Sequence, residues 1–94
     1  MKAALLLRMR LVLTETAFVE TVVWRVPEPV RGSRHDFKYR LALVADGVCV
    51  LRYDNEAGKG DHKHLGAVEM LYVFTTPAKL LADFWFDVDQ WRLT

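Results

Sequence analysis

Apolar and polar side chains alternate with period two through about the first four-fifths of this chain and then stop doing so. That break constrains the fold more than any other feature. Leu5, Leu7, Met9, Leu11 and Leu13 share one parity, against Arg8, Arg10 and Thr14 on the other. Successive side chains of an extended backbone point to opposite faces, so this run predicts a strand with one apolar face. After a short turn at Glu15-Thr16-Ala17 the pattern resumes from Phe18 to Val26, with Phe18, Val22, Trp24 and Val26 opposite Val19, Thr21, Val23 and Arg25. The two runs predict a hairpin. Val26-Pro27-Glu28-Pro29-Val30 leaves the sheet, because neither proline can donate to a ladder. Residues 31–36 then read as a mobile polar loop. Phe37 to Ala45 puts Phe37, Tyr39, Leu41 and Leu43 in phase, and Asp46-Gly47 is a two-residue hairpin signal that returns the chain through Val48 to Tyr53. Val68, Met70, Tyr72 and Phe74 alternate as a fifth strand.

The period changes after Thr76, which suits a helix cap, and Pro77, which suits the first helical position. Leu80, Leu81, Phe84, Trp85, Val88 and Trp91 follow at helical spacing, with Asp83 and Asp87 on the opposite face and Trp91-Arg92-Leu93 fraying or docking at the end. The expected fold is α+β: a five-stranded, mainly antiparallel sheet (two hairpins plus a fifth strand) with one C-terminal helix packed on a face. Residues 1–94 are expected to form a single domain, since a chain this long buries roughly 60–70% of its extended surface. A 52% hydrophobic fraction supplies the core and excludes disorder. Two sheet faces are more apolar than one helix can hide, so a second subunit (a homodimer) or a partner protein is expected to cover the remainder.

Met1 to Leu7 resembles the start of a signal peptide, but Arg8 and Arg10 interrupt it and no small-residue cleavage site follows. No segment approaches the ~20 apolar residues of a membrane span, so no membrane association and a cytoplasmic location are expected. Cys49, the single cysteine, sits in Val-Cys-Val-Leu and reads as a small buried hydrophobe. The net charge of +1 conceals an asymmetry: residues 1–40 carry eight Lys/Arg against four acids, and residues 41–94 carry five against eight. A basic side suited to phosphates follows.

Arg52-Tyr53-Asp54-Asn55-Glu56-Ala57-Gly58-Lys59-Gly60-Asp61-His62-Lys63-His64 lies between apolar runs and reads as a polar connector carrying acids, bases and imidazoles. His62 and His64 are one residue apart, so in an extended backbone both imidazoles point one way, with Asp61 and Lys63 the other. Imidazole titrates near pH ~6.5, so such a pair suits general acid and general base in phosphodiester cleavage. Lys59, Lys63 or Arg52 would stabilise the developing charge. Gly58 and Gly60 would let backbone N–H groups turn toward a phosphate. Arg52 and Asp54 share a strand face, either as a plain surface ion pair or as an oriented arginine at the mouth of the site, with Tyr53 between them. Arg31, Arg34, His35, Lys38 and Arg40 give residues 31–40 a basic character, either solvated surface or, with Tyr39 interleaved, steering for RNA. Trp24, Trp85 and Trp91 read as core or interface, with base-stacking platforms as the alternative. A metal site from His62, His64 and Asp61 or Asp54 is the rival chemistry, but two imidazoles without a second cysteine make a poor closed site. No metal and no cofactor are expected.

Tyr39-Arg40-Leu41-Ala42-Leu43-Val44, Asp46-Gly47, Val50-Leu51-Arg52-Tyr53-Asp54-Asn55, Gly58-Lys59-Gly60-Asp61-His62-Lys63-His64 and the closing Leu81-Ala82-Asp83-Phe84-Trp85 with Asp87-Val88 and Trp91 resemble the TumE family of toxin components from toxin–antitoxin modules. The likeness runs from about Leu11 onward; Met70-Leu71-Tyr72 lacks the proline that often precedes the last strand's aromatic in that family. It implies a growth-inhibiting toxin neutralised by a small helix-turn-helix antitoxin made from the adjacent gene. Residues and resemblance together lead to a metal-independent endoribonuclease. Its candidate catalytic residues are His62, His64, Lys59 and Arg52, and its candidate substrate-binding residues are Arg40, Tyr53, Asp54, Lys63, Gly58 and Gly60. The rival from a different class is a non-catalytic protein- or nucleic-acid-binding module that uses the 52–64 loop.

Overall fold

The computed structural model describes residues 2–93; Met1, where the apolar opening begins, and Thr94 lie outside the described residues. Strands β1 (Ala4–Thr14), β2 (Ala17–Arg25), β3 (Phe37–Ala45), β4 (Val48–Asp54), β5 (His62–Leu65) and β6 (Val68–Leu71) precede one helix, α1 (Pro77–Arg92). They form a single sheet in chain order, antiparallel at every pairing. The class is α+β with a C-terminal helix on one face, as the alternation predicts, but the sheet has six strands and not five.

The extra strand is the second half of the polar connector. His62-Lys63-His64-Leu65 pairs with β4 on one side and β6 on the other. Its alternation sets imidazole against ammonium, so no apolar face betrays it, although an antiparallel strand tolerates a wet face. Gly66-Ala67 closes the β5–β6 hairpin in two residues, with Gly66 at φ 60. The final strand is also shorter than its pattern suggests. It ends at Leu71; Tyr72 still donates its N–H to the Asp61 carbonyl at 3.1 Å, and Phe74 lies beyond. At Asp46-Gly47 both residues have positive φ, 51 and 76, as a type I′ turn requires.

Ala17, Val19, Thr21 and Val23 of β2, Tyr39, Leu41 and Leu43 of β3, and Leu51 and Tyr53 of β4 are buried on one face. The helix lies on it. Thr76 caps the helix by accepting from Lys79 N–H at 3.1 Å, and Leu80, Phe84 and Val88, four residues apart, are fully buried. Each such side chain contributes roughly 1.5–3 kcal/mol. Trp85 and Trp91 pack at the rim of this core, so the end of the helix docks. The edge strand β1 is only partly covered: Leu7 and Leu13 reach the core, while Leu6, Met9, Leu11 and Val12 stay exposed. Cys49 is exposed, not buried, because a register shift between Leu43 and Val44 leaves Val50 unmatched and turns Cys49 out.

The segment 31–36 is fastened, contrary to its expected mobility. Gly58 N–H donates to the Arg31 carbonyl at 2.7 Å. Asp61 accepts from Ser33 Oγ at 2.6 Å, Tyr39 hydroxyl at 2.6 Å and His35 Nε2 at 2.7 Å. Buried Asn55 bridges the same region, accepting from Tyr39 N–H at 3.0 Å and donating to Phe37 O at 2.7 Å. A Cβ on Gly60 would sit 2.8 Å from the Gly32 carbonyl oxygen, so the two loops approach closer than any other residue allows. No helix among the described residues is long and apolar enough to cross a membrane.

Candidate functional site

The register assembles the site on the sheet face away from the helix. Arg8, Val22, Arg40, Asp54, His62 and Leu71 form one row across all six strands, and Arg10, Glu20, Ala42, Arg52, His64 and Glu69 form the next. Adjacent strands lie ~4.8 Å apart, so Arg52 and His64 are direct neighbours and Arg40 lies about 10 Å from His62. Both imidazoles occupy the open face, with Lys63 turned to the other.

Arg52 Nη2 lies 3.0 Å from His64 Nε2. A guanidinium only donates, so Nε2 accepts and neutral His64 carries its proton on Nδ1. The ring of His62 is oriented oppositely: its Nδ1 lies 3.1 Å from the Gly60 carbonyl, which only accepts, so Nδ1 carries the proton and Nε2 is left for a reactant. Glu69 Oε1 stands 3.9 Å from His62 Nε2 and 3.8 Å from His64 Nε2, so one carboxylate faces both imidazoles. Asp54 Oδ2 is 3.2 Å from Arg52 Nε, an ion-pair distance. The N–H is not aimed at that oxygen, however, so the sealed Nε makes no hydrogen bond. The guanidinium is thus anchored while most of its donors remain available. A depression of about 340 Å³ beside it is lined by Lys38, Arg40, Arg52, Asp54 and Glu56 together with Tyr39 and Asn55.

The remaining expected site residues lie elsewhere. Lys59 is in the exposed 56–59 part of the turn, 3.7 Å from Glu56, and lines a second depression with Arg34, His35, Gly60 and Phe74. The N–H of Gly58 is occupied by Arg31, and Gly60 serves the contact with Gly32. Tyr53 and Lys63 face the helix. Tyr53 is 1% exposed and donates to Asp87, and Lys63 Nζ lies 3.3 Å from the same carboxylate. Asp83 likewise accepts from Tyr72 at 2.6 Å and pairs with Lys79. Asp83 and Asp87 are therefore not a free acidic face; they satisfy tyrosine hydroxyls at the helix–sheet seam. Burial first, then a hydrogen bond to a carboxylate, pushes Tyr39, Tyr53 and Tyr72 above the usual phenol range. The Lys79 and Tyr72 hydrogen bonds hold Asp83 below the usual carboxylate range.

Glu69 was not singled out from the sequence, yet it faces both imidazoles. Recognising Leu65-Gly66-Ala67-Val68 as a tight hairpin would have found it, because that register pairs Glu69 with His64. The pairing of Asp61 with His35 has no signal in the sequence, because only the folded loops bring the two together. Among the described residues no group of three His, Cys, Asp or Glu side chains is arranged to hold a metal ion. Asp61, one of the two carboxylates considered as a ligand, is committed to Ser33, His35 and Tyr39.

A six-stranded antiparallel sheet covered on one face, with an arginine–histidine site on the other, defines a small α+β protein built to present ionisable groups to solvent. A family model described as Toxin TumE matches residues 2–92, and the chain belongs to that family of toxins. No curated protein and no solved structure matches the chain.

Proposed function

We propose that this toxin acts in the cytoplasm as a metal-independent endoribonuclease, with His62 and His64 exchanging protons with the substrate. The observation that carries the proposal is the shared face of the two imidazoles, with the Arg52 guanidinium 3.0 Å from one of them. An RNA phosphate entering the depression beside Arg52 competes for the guanidinium, which moves from His64 Nε2 to a non-bridging oxygen. The freed Nε2 removes the proton of the ribose 2′-hydroxyl. The 2′-oxygen attacks the adjacent phosphorus, and the 5′-oxygen leaves with the proton of protonated His62 Nε2. The products are a 2′,3′-cyclic phosphate and a 5′-hydroxyl, and both imidazoles end in the opposite protonation state. Arg40 and Asp54 position the backbone and the guanidinium respectively, and Lys59 reaches the phosphate only by leaving Glu56.

In the cell the toxin is held by a small helix-turn-helix antitoxin made from the adjacent gene. The exposed apolar side chains of β1 and Phe86 of α1 support such a covering partner, with a homodimer as the alternative occupant. The test is incubation of the purified protein with single-stranded RNA. Cleavage by substoichiometric protein, lost in His62→Ala and His64→Ala, is expected. An effect on RNA only at saturating protein, unchanged in those variants, means a non-catalytic binding module.

A further inference from the structure

Trp24 belongs to the open sheet face, not to the core. Its neighbours in the register are Leu5 on β1 and Lys38 on β3, and the helix-side positions beside it in β2 are Val23 and Arg25. The indole is half-buried and keeps part of its surface open to solvent. Arg8 lies 6.0 Å from its ring centroid, at the outer margin of a cation–π contact. Arg40 sits across Val22 from Arg8, one row away. Arg8, Lys38 and Arg40 are all exposed, and among the described residues none of them pairs with a carboxylate. The other open-face cations, Arg10 and Arg52, have Glu20 and Asp54. Arg8 and Lys38 beside one indole, with Arg40 one row further and next to Asp54, therefore mark a specific place on this face.

That place is continuous with the arginine–histidine site. Lys38 and Arg40 line the depression that also contains Arg52, and Arg52 adjoins His64. Trp24 on β2 and His62 on β5 are three strand steps and one row apart, roughly 16 Å. A single strand running across the strands would put its backbone over Arg40 and Arg52 while a base several nucleotides from the scissile bond reaches Trp24.

We infer that Trp24, with Arg8 and Lys38, is a second nucleotide subsite that stacks one base of single-stranded RNA and grips the flanking phosphates. This rests on the ribonuclease assignment for its choice of ligand. The chemistry is that of single-strand binding generally: an aromatic face tolerates any base, and cations on either side track the backbone. It also requires the face to stay bare, as a helix-free antiparallel sheet face is. The subsite makes the enzyme prefer a chain over a dinucleotide and gives weak sequence preference.

The experiment measures binding of a fluorescein-labelled single-stranded RNA of about 12 nucleotides, a length within the span of comparable single-strand sites. It is done by anisotropy at low salt, with the His62→Ala/His64→Ala protein as the reference so that cleavage does not intervene. Trp24→Leu keeps the apolar contact with the sheet and removes the stacking surface; Lys38→Glu is exposed and leaves the core alone. Each, added to that reference, is expected to weaken binding on the order of tenfold, the loss typical for one stacked base. Trp24 fluorescence should be quenched by the oligonucleotide. Unaltered affinity in both variants, with native circular dichroism, overturns the subsite even if His62 and His64 prove catalytic. Loss of binding in both, in a wild-type protein that cleaves nothing, keeps the subsite and sinks the ribonuclease. A reference protein that does not bind the oligonucleotide overturns the subsite too.

Discussion

Tyr53 of β4 donates its hydroxyl proton to Asp87 of α1, and that bond ties the middle of the sheet to the helix. Lys63 of β5 reaches the same carboxylate at 3.3 Å, so a phenol and an ammonium converge on one acid. Removing the carboxylate leaves the hydroxyl of a residue that is 1% exposed with only the Asp83 carbonyl, 3.4 Å away, to donate to, and leaves Lys63 without a carboxylate. Their side chains keep some contact with water, 16% for Asp87 and 23% for Lys63, which softens the loss. Asp87→Ala should cost about 2 kcal/mol, within the range for an unsatisfied buried partner. Asp89, exposed on the same helix, provides the control: Asp89→Ala should stay within ~0.5 kcal/mol. Urea midpoints at unchanged slope measure both, and equal effects would show that Asp87 is ordinary surface.

Much of this was legible in the chain, for identifiable reasons. Leu41, Leu43 and Leu51 announce their strands because burial on one face imposes apolar alternation. Thr76-Pro77 announces the helix because capping chemistry is local. His62 and His64 fall on one face because alternation is a property of the extended backbone, whatever the side chains. The same parity rule already separates Tyr53 and Lys63 from Arg52 and His64, although closeness in sequence groups them. What stayed hidden depends on distant partners. β5 has no apolar face, Asp87 faces a tyrosine 34 residues away, and Asp61 gathers partners from 22 to 28 residues earlier.

The loop glycines are not equivalent. Gly60 has φ +74 and a Gly32 carbonyl oxygen 2.8 Å from any added Cβ, whereas Gly47 has φ +76 and nothing within 4 Å. Gly47→Ala should cost only the backbone penalty of about 1 kcal/mol. Gly60→Ala adds a backbone clash, and the displaced turn carries Gly60 O away from His62 Nδ1. It should therefore lower stability by more than Gly47→Ala and also reduce RNA cleavage. Thermal unfolding and a cleavage assay on both variants check this; equal effects would dissociate the turn from the site.

Alkaline pH should destabilise the fold. Tyr39 and Tyr53 are held protonated above the ordinary phenol value of 10.0, chiefly by burial and then by hydrogen bonds to Asp61 and Asp87. The unfolded chain releases those protons once pH passes that ordinary value, so it binds fewer protons than the native state. Their stabilisation is complete below about pH 10 and is lost as pH climbs toward the raised folded values. The slope approaches about 1.4 kcal/mol per pH unit for each such tyrosine. Asp83 acts in the opposite sense: its depressed value contributes stability that is present above the ordinary carboxylate range and fades in acid. Urea titrations from pH 8 to 11.5 should show the decline, and Tyr39→Phe and Tyr53→Phe should each flatten it. A flat curve in the unaltered protein would contradict the buried phenols.

Arg52 is expected to need its shape as well as its charge. It meets His64 and Asp54 together and must also accept a phosphate, which a fork of donors can do and a point charge cannot. Arg52→Lys should lower the cleavage rate by ~10²-fold or more, in the range for removal of one charge-stabilising donor. The accompanying change in stability should stay below about 1 kcal/mol, because partly exposed ion pairs are weak. Near-wild-type cleavage by the lysine variant would remove Arg52 from the chemistry and leave it a spacer between strands.

The two imidazoles are held in different arrangements, and this fixes how activity should respond to pH and to chelator. In the proposed mechanism His64, whose Nε2 accepts from Arg52, is the base and works when neutral. His62, which donates Nδ1–H to the Gly60 carbonyl and keeps Nε2 for the leaving oxygen, is the proposed acid and works when protonated. The productive form therefore has one proton on the pair beyond the neutral state. Cleavage should rise and then fall with pH across the neutral range, with two apparent values that belong to the pair. Glu69→Gln removes the carboxylate that faces both imidazoles and should lower cleavage while the fold is kept. Chelator should have little effect, because no step calls for a cation. Loss of activity to chelator with recovery on zinc or manganese, together with products ending in 5′-phosphate, would mean that His62 and His64 bind a metal that activates water. A 2′,3′-cyclic phosphate end, resistance to chelator and a bell-shaped pH profile together would establish the two-imidazole mechanism.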